Sequence, residues 1–288
     1  MLGKEKFVEN NALLNKIIKE KQILIATHRG SAGGNIMENT IPAYTASLLM
    51  NADMFECDVV ESTDGILYAF HDGREKQILG VEGNLRTFSS KEIDTFDFVN
   101  SNGLNAKYHV EKLEDVIKHF KGEVLYNIDR AFRLQQLDIL KDLFLKYPYA
   151  VKQAVLKAPV QREYLEYLEA CPVKFMFMPI IGNMEELKLV LSYENINTVG
   201  AELIAKGKDW ELFQDENIRW IREQGLFCWA NAIVLDGNPE SDLFGGLDDS
   251  KAILGDPEGN WGKMIDKGIN VIQTDWPALL SRFRENYI

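Results

Sequence analysis

The sequence predicts an α/β chain that folds as a (β/α)₈ TIM barrel, with a β-hairpin after the second strand at the C-terminal rim. Eight short β-rich runs recur along the chain, and most are separated by helix-like stretches. This alternation requires parallel pairing, because parallel neighbours need a crossover connection. Eight such units over about 270 residues favour a closed barrel over an open sheet. No G-x-G-x-x-G motif follows the first strand, so a dinucleotide-binding sheet lacks its main support.

Two segments are expected along the chain. Residues 1–20 form an amphipathic helix that packs on the barrel, and residues 21–288 form one barrel domain. The strands are predicted at 23–27, 54–59, 123–129, 152–157, 174–181, 198–203, 226–231 and 270–275.

One further strand-like run, 66–72, lies too close to the second strand for a parallel crossover. We therefore predict a hairpin with its turn near Thr63 and Asp64, which brings His71 roughly opposite Glu56. The long Gly- and Asp-rich segment 233–264 follows the seventh strand and belongs to the same rim as the hairpin. Either a mobile lid or a structured loop with a short helix fits its composition.

Composition restricts the partners. The chain has 288 residues, 46% of them apolar, and a formal charge of −12. An acidic surface repels nucleic acid and anionic lipid, so we expect a small-molecule partner and no nucleic acid. The sequence contains no run of 18 apolar residues, so no membrane span is predicted. The three cysteines are far apart and form no CxxC pair, which predicts reduced, buried thiols.

The first 20 residues lack the apolar run of a signal peptide. A cytoplasmic location is therefore expected for the chain as written, and an extracytoplasmic one if a leader has been removed. Composition does not predict the oligomeric state.

Charged side chains cluster at the predicted strand ends, where the reactive groups of barrel enzymes gather. Glu56 and Asp58 are two apart on one strand, so both point into the barrel while Cys57 points outward. Two carboxylates in an apolar run are costly to bury unpaired, and a hard cation resolves this. With Asp129 they form an all-oxygen set suited to one Mg²⁺ or Ca²⁺. Glu202 is a candidate fourth ligand.

Two of the four histidines, His28 and His71, fall at rim positions beside these carboxylates. His109 and His119 lie in a loop and a helix and are expected to be ordinary surface or capping residues. Taken singly, each of these histidines and carboxylates also has a purely structural explanation, such as a salt-bridged pair or an ordinary hairpin turn. Trp229 fits either core packing or a platform for substrate, and Lys157 fits either an ion pair or a phosphate contact.

The motifs "HRG", "ENT" and "ECDVVESTDGILYAFHD" together resemble the signature of the glycerophosphodiester phosphodiesterase family. The resemblance extends more weakly to "YNID", "CWAN" and "IQTDWP". It implies a barrel that hydrolyses glycerophosphodiesters to glycerol 3-phosphate and an alcohol, with one divalent cation. By position, the family's roles fall on the following residues: His28 and His71 as acid–base pair, Arg29, Glu38 and Asn39 in the phosphate pocket, and Glu56 and Asp58 as metal ligands.

The chain departs from the family pattern at the third metal ligand, which is commonly glutamate and is here Asp129. The lysine that commonly follows two residues later is replaced by Ala131, and Lys157 or Arg130 is a candidate substitute for its charge. Met37 replaces a proline before "ENT". Two rival functions stay open at this point: a phospholipase-like phosphodiesterase that acts on intact lipid, and a non-catalytic barrel that binds phosphodiesters or sugar phosphates.

Overall fold

The computed structural model describes residues 1–235 and 242–288. Its strands, in chain order, are β1 Leu24–Thr27, β2 Met54–Glu61, β3 Leu67–Ala69, β4 Asp97–Val99, β5 Asn105–His109, β6 Leu125–Asp129, β7 Ala154–Pro159, β8 Met176–Ile181, β9 Gly200–Leu203, β10 Phe227–Asn231 and β11 Val271–Thr274. Its helices are α1 Ala12–Lys21, α2 Ile41–Leu49, α3 Glu75–Ile78, α4 Ser90–Ile93, α5 Leu113–His119, α6 Leu134–Lys146, α7 Arg162–Ala170, α8 Met184–Leu191, α9 Asp215–Glu223, α10 Asp249–Ile253, α11 Lys263–Lys267 and α12 Pro277–Tyr287.

Eight parallel strands close into a barrel. Their order is β1-β2-β6-β7-β8-β9-β10-β11, and β11 pairs again with β1. All eight strands lie where the sequence predicts them, so the (β/α)₈ fold is confirmed. Within the described part of the chain, no helix is both long and apolar enough to cross a membrane.

Alternation along β2 orients the predicted carboxylates. Met54 belongs to the apolar cluster inside the barrel, together with Leu24, Val155 and Trp229. Phe55 and Cys57 belong to the cluster that the surrounding helices cover. Since side chains alternate along a strand, Glu56 and Asp58 share the inward face of Met54. The prediction that Cys57 points outward is confirmed, and all three cysteines are free and buried.

The helix α1 closes the N-terminal end of the barrel. Leu14 is fully buried in the interior cluster, with Leu13 and Ile17 packed beside it. Asn11, just before the helix, exchanges a reciprocal pair of amide hydrogen bonds with Asn197, at 2.8 and 2.9 Å. The opposite, C-terminal end of the barrel is thereby the end left for a binding cleft.

The hairpin after β2 forms with a register one residue away from the prediction. Val59 pairs with Ala69, and the amide of Phe70 donates to the carbonyl of Asp58, so His71 does not lie opposite Glu56. The turn uses one residue more than expected, because Gly65 adopts a φ of 81° and the amide of Ser62 bonds to the carbonyl of Ile66.

Residues 73–112 form a small unit of their own between β2 and β6. The strands β4 and β5 pair antiparallel, and Leu85 and Phe98 of the unit pack with Tyr68 of β3 in a separate apolar cluster. His109 is the last residue of β5, so the prediction that it lies in a loop was wrong. The strand was missed because most of its residues are polar and exposed, which leaves little hydrophobic signal. His109 is nevertheless on the surface, where it pairs with Asp97.

Candidate active site

His28 and Arg29 follow β1 at the barrel mouth. The Nδ1 of His28 lies 2.9 Å from Oδ1 of Asp275, and because a carboxylate only accepts, Nδ1 carries the proton. Arg29 adopts a left-handed φ of 56°, which points its amide at Oε2 of Glu56, 2.9 Å away. Its guanidinium forms ion pairs with Asp58 at 3.1 Å and Glu38 at 3.2 Å.

Three carboxylates converge beside this pair. Glu56, Asp58 and Asp129 each offer an oxygen, and these oxygens all lie within 4.8 Å of one another. Burial and the neighbouring charge of Asp58 raise the pKa of Glu56 well above its ordinary value. Burial also disfavours the ionised form of Asp129, but the ammonium of Lys157 outweighs that effect and lowers the pKa of Asp129. The group is thus a set of mutually repelling acids.

Lys157 lies under the third carboxylate. Its Nζ is 2.8 Å from Asp129 and 3.4 Å from Glu202, and it stands 5.8 Å from the ring centroid of Trp229. Burial opposes its charge, yet the surrounding carboxylates raise the pKa of Lys157 above its ordinary value. It is therefore a buried, permanently charged ammonium.

The lysine expected two residues after Asp129 has no room there. Ala131 is fully buried in the apolar cluster under the helices, and its carbonyl accepts a bond from the hydroxyl of Tyr164 at 2.9 Å. A side chain at that position faces away from the carboxylates, and Lys157 on the neighbouring strand occupies the position beside Asp129 instead.

His71 follows β3 and returns over the end of β2. Its Nδ1 lies 2.8 Å from the carbonyl oxygen of Asp72, so Nδ1 is again the protonated nitrogen. Burial lowers the pKa of His71, and the guanidinium groups of Arg29 and Arg130 lower it further, against the opposing charge of Asp58. The neutral imidazole is therefore favoured.

One cleft of about 240 Å³ joins these groups at the C-terminal end of the barrel. Eight of the eleven predicted site residues line it: His28, Arg29, Glu56, Asp58, His71, Asp129, Lys157 and Glu202. Glu202 is outside the three-carboxylate group, and its described partners are Lys157 and Asn231. The rest of the lining includes a wall of apolar side chains: Ile204, Ile233, Leu235 and Leu243.

The other three predicted residues lie behind the cleft lining. Glu38 joins Arg29 to Arg74, 3.0 Å away. Asn39, with a φ of 55°, donates to Oδ2 of Asp58 at 2.9 Å and accepts from its amide at 3.0 Å. Trp229 is fully buried and donates to Asn231 at 2.8 Å. Their contacts hold the lining residues in place.

Two further residues contact the site: Asp275, for which the sequence predicted no role, and Arg130, a candidate substitute for the missing lysine charge. Asp275 holds His28, and Arg130 lines the cleft while its guanidinium pairs with Asp72 at 2.6 Å. Both follow directly after barrel strands, so their positions were visible in the sequence. Their partners were not, because those contacts join residues far apart in the chain.

Known proteins resemble this chain in sequence. Residues 28–147 match the model of the glycerophosphoryl diester phosphodiesterase family, and residues 177–283 match a model described as a domain of unknown function. A glycerophosphodiester phosphodiesterase of Bacillus subtilis is 23% identical over 94% of this chain and 89% of that relative. Another, from Caldanaerobacter subterraneus subsp. tengcongensis, is 35% identical over 26% of this chain and 30% of its own.

Solved structures share the barrel. A glycerophosphoryl diester phosphodiesterase from Parabacteroides distasonis superimposes with a TM-score of 0.70 at 17% identity, covering 92% of this chain and 87% of that one. An Oleispira antarctica phosphodiesterase, solved with the product sn-glycerol-3-phosphate, gives 0.64 at 14% identity over 90% and 95%. These likenesses show the fold, while the sequence matches cover the segment that carries His28, His71 and the three carboxylates. The family model over residues 28–147 and the Bacillus subtilis relative both indicate the glycerophosphodiester phosphodiesterase family.

Proposed function

We propose that this chain hydrolyses glycerophosphodiesters to glycerol 3-phosphate and an alcohol, using one divalent cation and two histidines. The observation that carries the proposal is the convergence of two imidazoles, a guanidinium and three carboxylates on one cleft of about 240 Å³. That cleft suits a small polar diester. The match of residues 28–147 to the family model supports the reaction class.

The residues fit a divalent cation. Four carboxylates lie in this region: Glu56, Asp58 and Glu202 are buried, and Asp129 is partly buried. Two cations, Arg29 and Lys157, pair with them, so the acids outnumber these cations by two. Glu56, Asp58 and Asp129 would hold the ion, since hard oxygen ligands suit Mg²⁺ or Ca²⁺. Once bound, it would neutralise phosphoryl oxygens and lower the charge that repels an attacking oxygen.

Arg29 is the residue proposed to bind the phosphoryl group. Its guanidinium is held by Glu38 and Asp58 at the edge of the cleft, so it is preorganised before substrate arrives. Lys157 is proposed to take over the charge that relatives carry two residues after the third ligand. It steadies Asp129 and adds positive charge to the floor of the cleft.

The two histidines are proposed to divide the proton transfers. In both rings Nδ1 is engaged, which leaves Nε2 to exchange a proton. His71 bonds to a carbonyl and lies near two guanidinium groups, so it is suited to accept the proton of the attacking oxygen. His28 bonds to the carboxylate of Asp275 and is suited to protonate the departing alkoxide.

The test is release of glycerol 3-phosphate from a panel of glycerophosphodiesters, measured with and without Mg²⁺ or Ca²⁺. We expect cation-dependent release from at least one diester. Release from intact phospholipid vesicles alone would support the lipid-acting rival. Binding of diesters by calorimetry with no product in any arm would support the non-catalytic barrel and refute the proposed hydrolysis.

A further inference from the structure

Asp249 is a buried carboxylate that does not line the cleft. It begins α10, in the long segment after β10, and only 2% of its surface is exposed. Burial raises the pKa of Asp249 to about 7, so the charged carboxylate is unfavourable here unless hydrogen bonds stabilise it. No role for Asp249 is predicted from the sequence.

Three donors converge on this carboxylate. Its Oδ1 accepts from the indole Nε1 of Trp261 at 2.8 Å. Its Oδ2 accepts from the hydroxyl of Thr274 at 2.8 Å and from the amide of Asp275 at 3.0 Å. The same hydroxyl of Thr274 accepts from the amide of Trp276 at 2.9 Å. Asp249 thus fixes the backbone at the point where β11 ends.

That point of the backbone determines where Asp275 presents its carboxylate. The side chain of Asp275 is 46% exposed, and its described side-chain partner is Nδ1 of His28. Because no other described side chain holds this carboxylate, the position of the Asp275 backbone determines whether the carboxylate can reach the ring of His28. The order of contacts is Trp261, Asp249, the Asp275 backbone, the Asp275 side chain and His28.

We propose that Asp249 is a positioning residue, which fixes the Asp275 carboxylate and through it the tautomer and orientation of the His28 imidazole. This inference rests on the proposed function for its kinetic consequence only. It gives a role to part of the segment 177–283, whose matching family model has none.

The first test reads the ring directly, in the protein without substrate. The chain has four histidines, so ¹⁵N spectra of the imidazole nitrogens are readily assigned with a His28→Ala variant. We expect wild-type His28 to carry its proton on Nδ1, and Asp249→Asn to mix the two tautomers. Asp256→Asn is the matched control, because Asp256 is in the same segment and its described side-chain bond is local, to the amide of Gly259. It should leave the His28 spectrum unchanged.

The second test is kinetic. Asp249→Asn should lower kcat about 10- to 100-fold with KM changed less than about twofold, because a small misplacement of a reacting group slows turnover without weakening binding. In an Asp275→Ala background the same substitution should lower kcat by less than about a further twofold, since the contact between Asp275 and His28 is already lost. Losses that multiply in the double variant, or a wild-type tautomer and kcat in Asp249→Asn, would overturn the proposal.

A second variant covers the case in which Asp249→Asn does not fold. Trp261→Phe keeps an aromatic ring and removes the donor to Oδ1 of Asp249. We expect a smaller shift of the His28 tautomer in the same direction, and no shift would count against the proposal. If the wild type turns over no diester, the proposed function fails, while the spectra still decide whether Asp249 positions His28.

Discussion

At the scale of the residue, the two cleft histidines differ from the rest of the chain by their surroundings. The side chains of His28 and His71 are largely covered, and in each the Nδ1 is hydrogen-bonded to an oxygen, of the Asp275 carboxylate and the Asp72 carbonyl respectively. His109 makes a similar contact with Asp97, but its side chain is 61% exposed. The chemistry proposed for the first two therefore depends on their place in the cleft, since a bonded histidine by itself is common.

Replacement of either cleft histidine tests this directly. His28→Ala and His71→Ala should each lower kcat by about 10²–10⁴-fold, because each removes one proton transfer. Circular dichroism should be unchanged, since neither ring belongs to an apolar cluster. His109→Ala is the matched control and should retain wild-type turnover. Normal activity in a cleft variant would remove that histidine from the acid–base pair.

Lys157 allows a second prediction at this scale. Lys157→Met leaves Asp129 and Glu202 without their buried partner, so the free energy of unfolding should fall by about 3 kcal/mol in urea denaturation. Turnover should fall about 10- to 100-fold, as is typical when a residue that orients a metal ligand is lost.

The control for Lys157 is the same substitution at an exposed ion pair. Lys188 bonds to Glu185 at 2.6 Å, and both side chains are more than half exposed. Lys188→Met should change stability by less than about 1 kcal/mol and leave turnover intact. Equal losses in the two variants would mean that Lys157 has no special role.

At the scale of the element, Glu111 joins the unit of residues 73–112 to the helix beside the phosphate pocket. Its carboxylate accepts from the amide of Ile41, the first residue of α2, at 2.7 Å, and from the hydroxyl of Tyr108. Burial raises the pKa of Glu111 to about 7. The folded protein therefore holds a proton that the unfolded chain releases at lower pH.

This pKa predicts a pH-dependent loss of stability. Because the folded value lies above the ordinary 4.5, the contribution of Glu111 is full below about pH 4.5 and is lost as the pH rises to about 7. Between pH 5 and pH 8, the free energy of unfolding should fall by about 2 kcal/mol more in the wild type than in Glu111→Gln, allowing for partial exposure. Urea titrations at both pH values measure this, and the exposed Glu163→Gln should follow the wild type.

The strands and helices were largely predictable from the sequence, because buried parallel strands are short apolar runs that recur at regular intervals along the chain. The exceptions have physical reasons. The residues of β5 alternate exposed and covered on a short surface hairpin, so their hydrophobic signal is weak. The register of the β2–β3 hairpin depended on one positive φ at Gly65, which the residue type permits without fixing its place in the turn.

The site was predictable where strand ends carry it and unpredictable where other segments support it. Glu56, Asp58 and Asp129 converge because strand alternation and barrel closure require it. The contact of Asp249 with Asp275 spans 26 residues and depends on the fold of the segment after β10. No local pattern in the sequence encodes that pairing.

At the scale of the whole molecule, the formal charge of −12 and the three-carboxylate group both favour cation binding. Millimolar Mg²⁺ or Ca²⁺ should therefore stabilise the folded chain, since the unfolded chain has no assembled site. At a concentration of about 100 times Kd, the gain is about 2.7 kcal/mol, or a rise in Tm of roughly 5 °C for a chain of this size. Thermal unfolding after exhaustive chelation and after cation addition measures it.

General screening of the acidic surface also stabilises the folded chain, so the experiment must separate it from binding at the site. Sodium chloride at matched ionic strength relieves the same self-repulsion without a specific ligand set, and should raise Tm by much less. Glu56→Gln should lose most of the divalent effect, while Glu123→Gln, an exposed carboxylate paired with Lys16, should keep it. A rise in Tm that sodium chloride reproduces, or that survives in Glu56→Gln, would place the cation on the general surface and refute the three-carboxylate site.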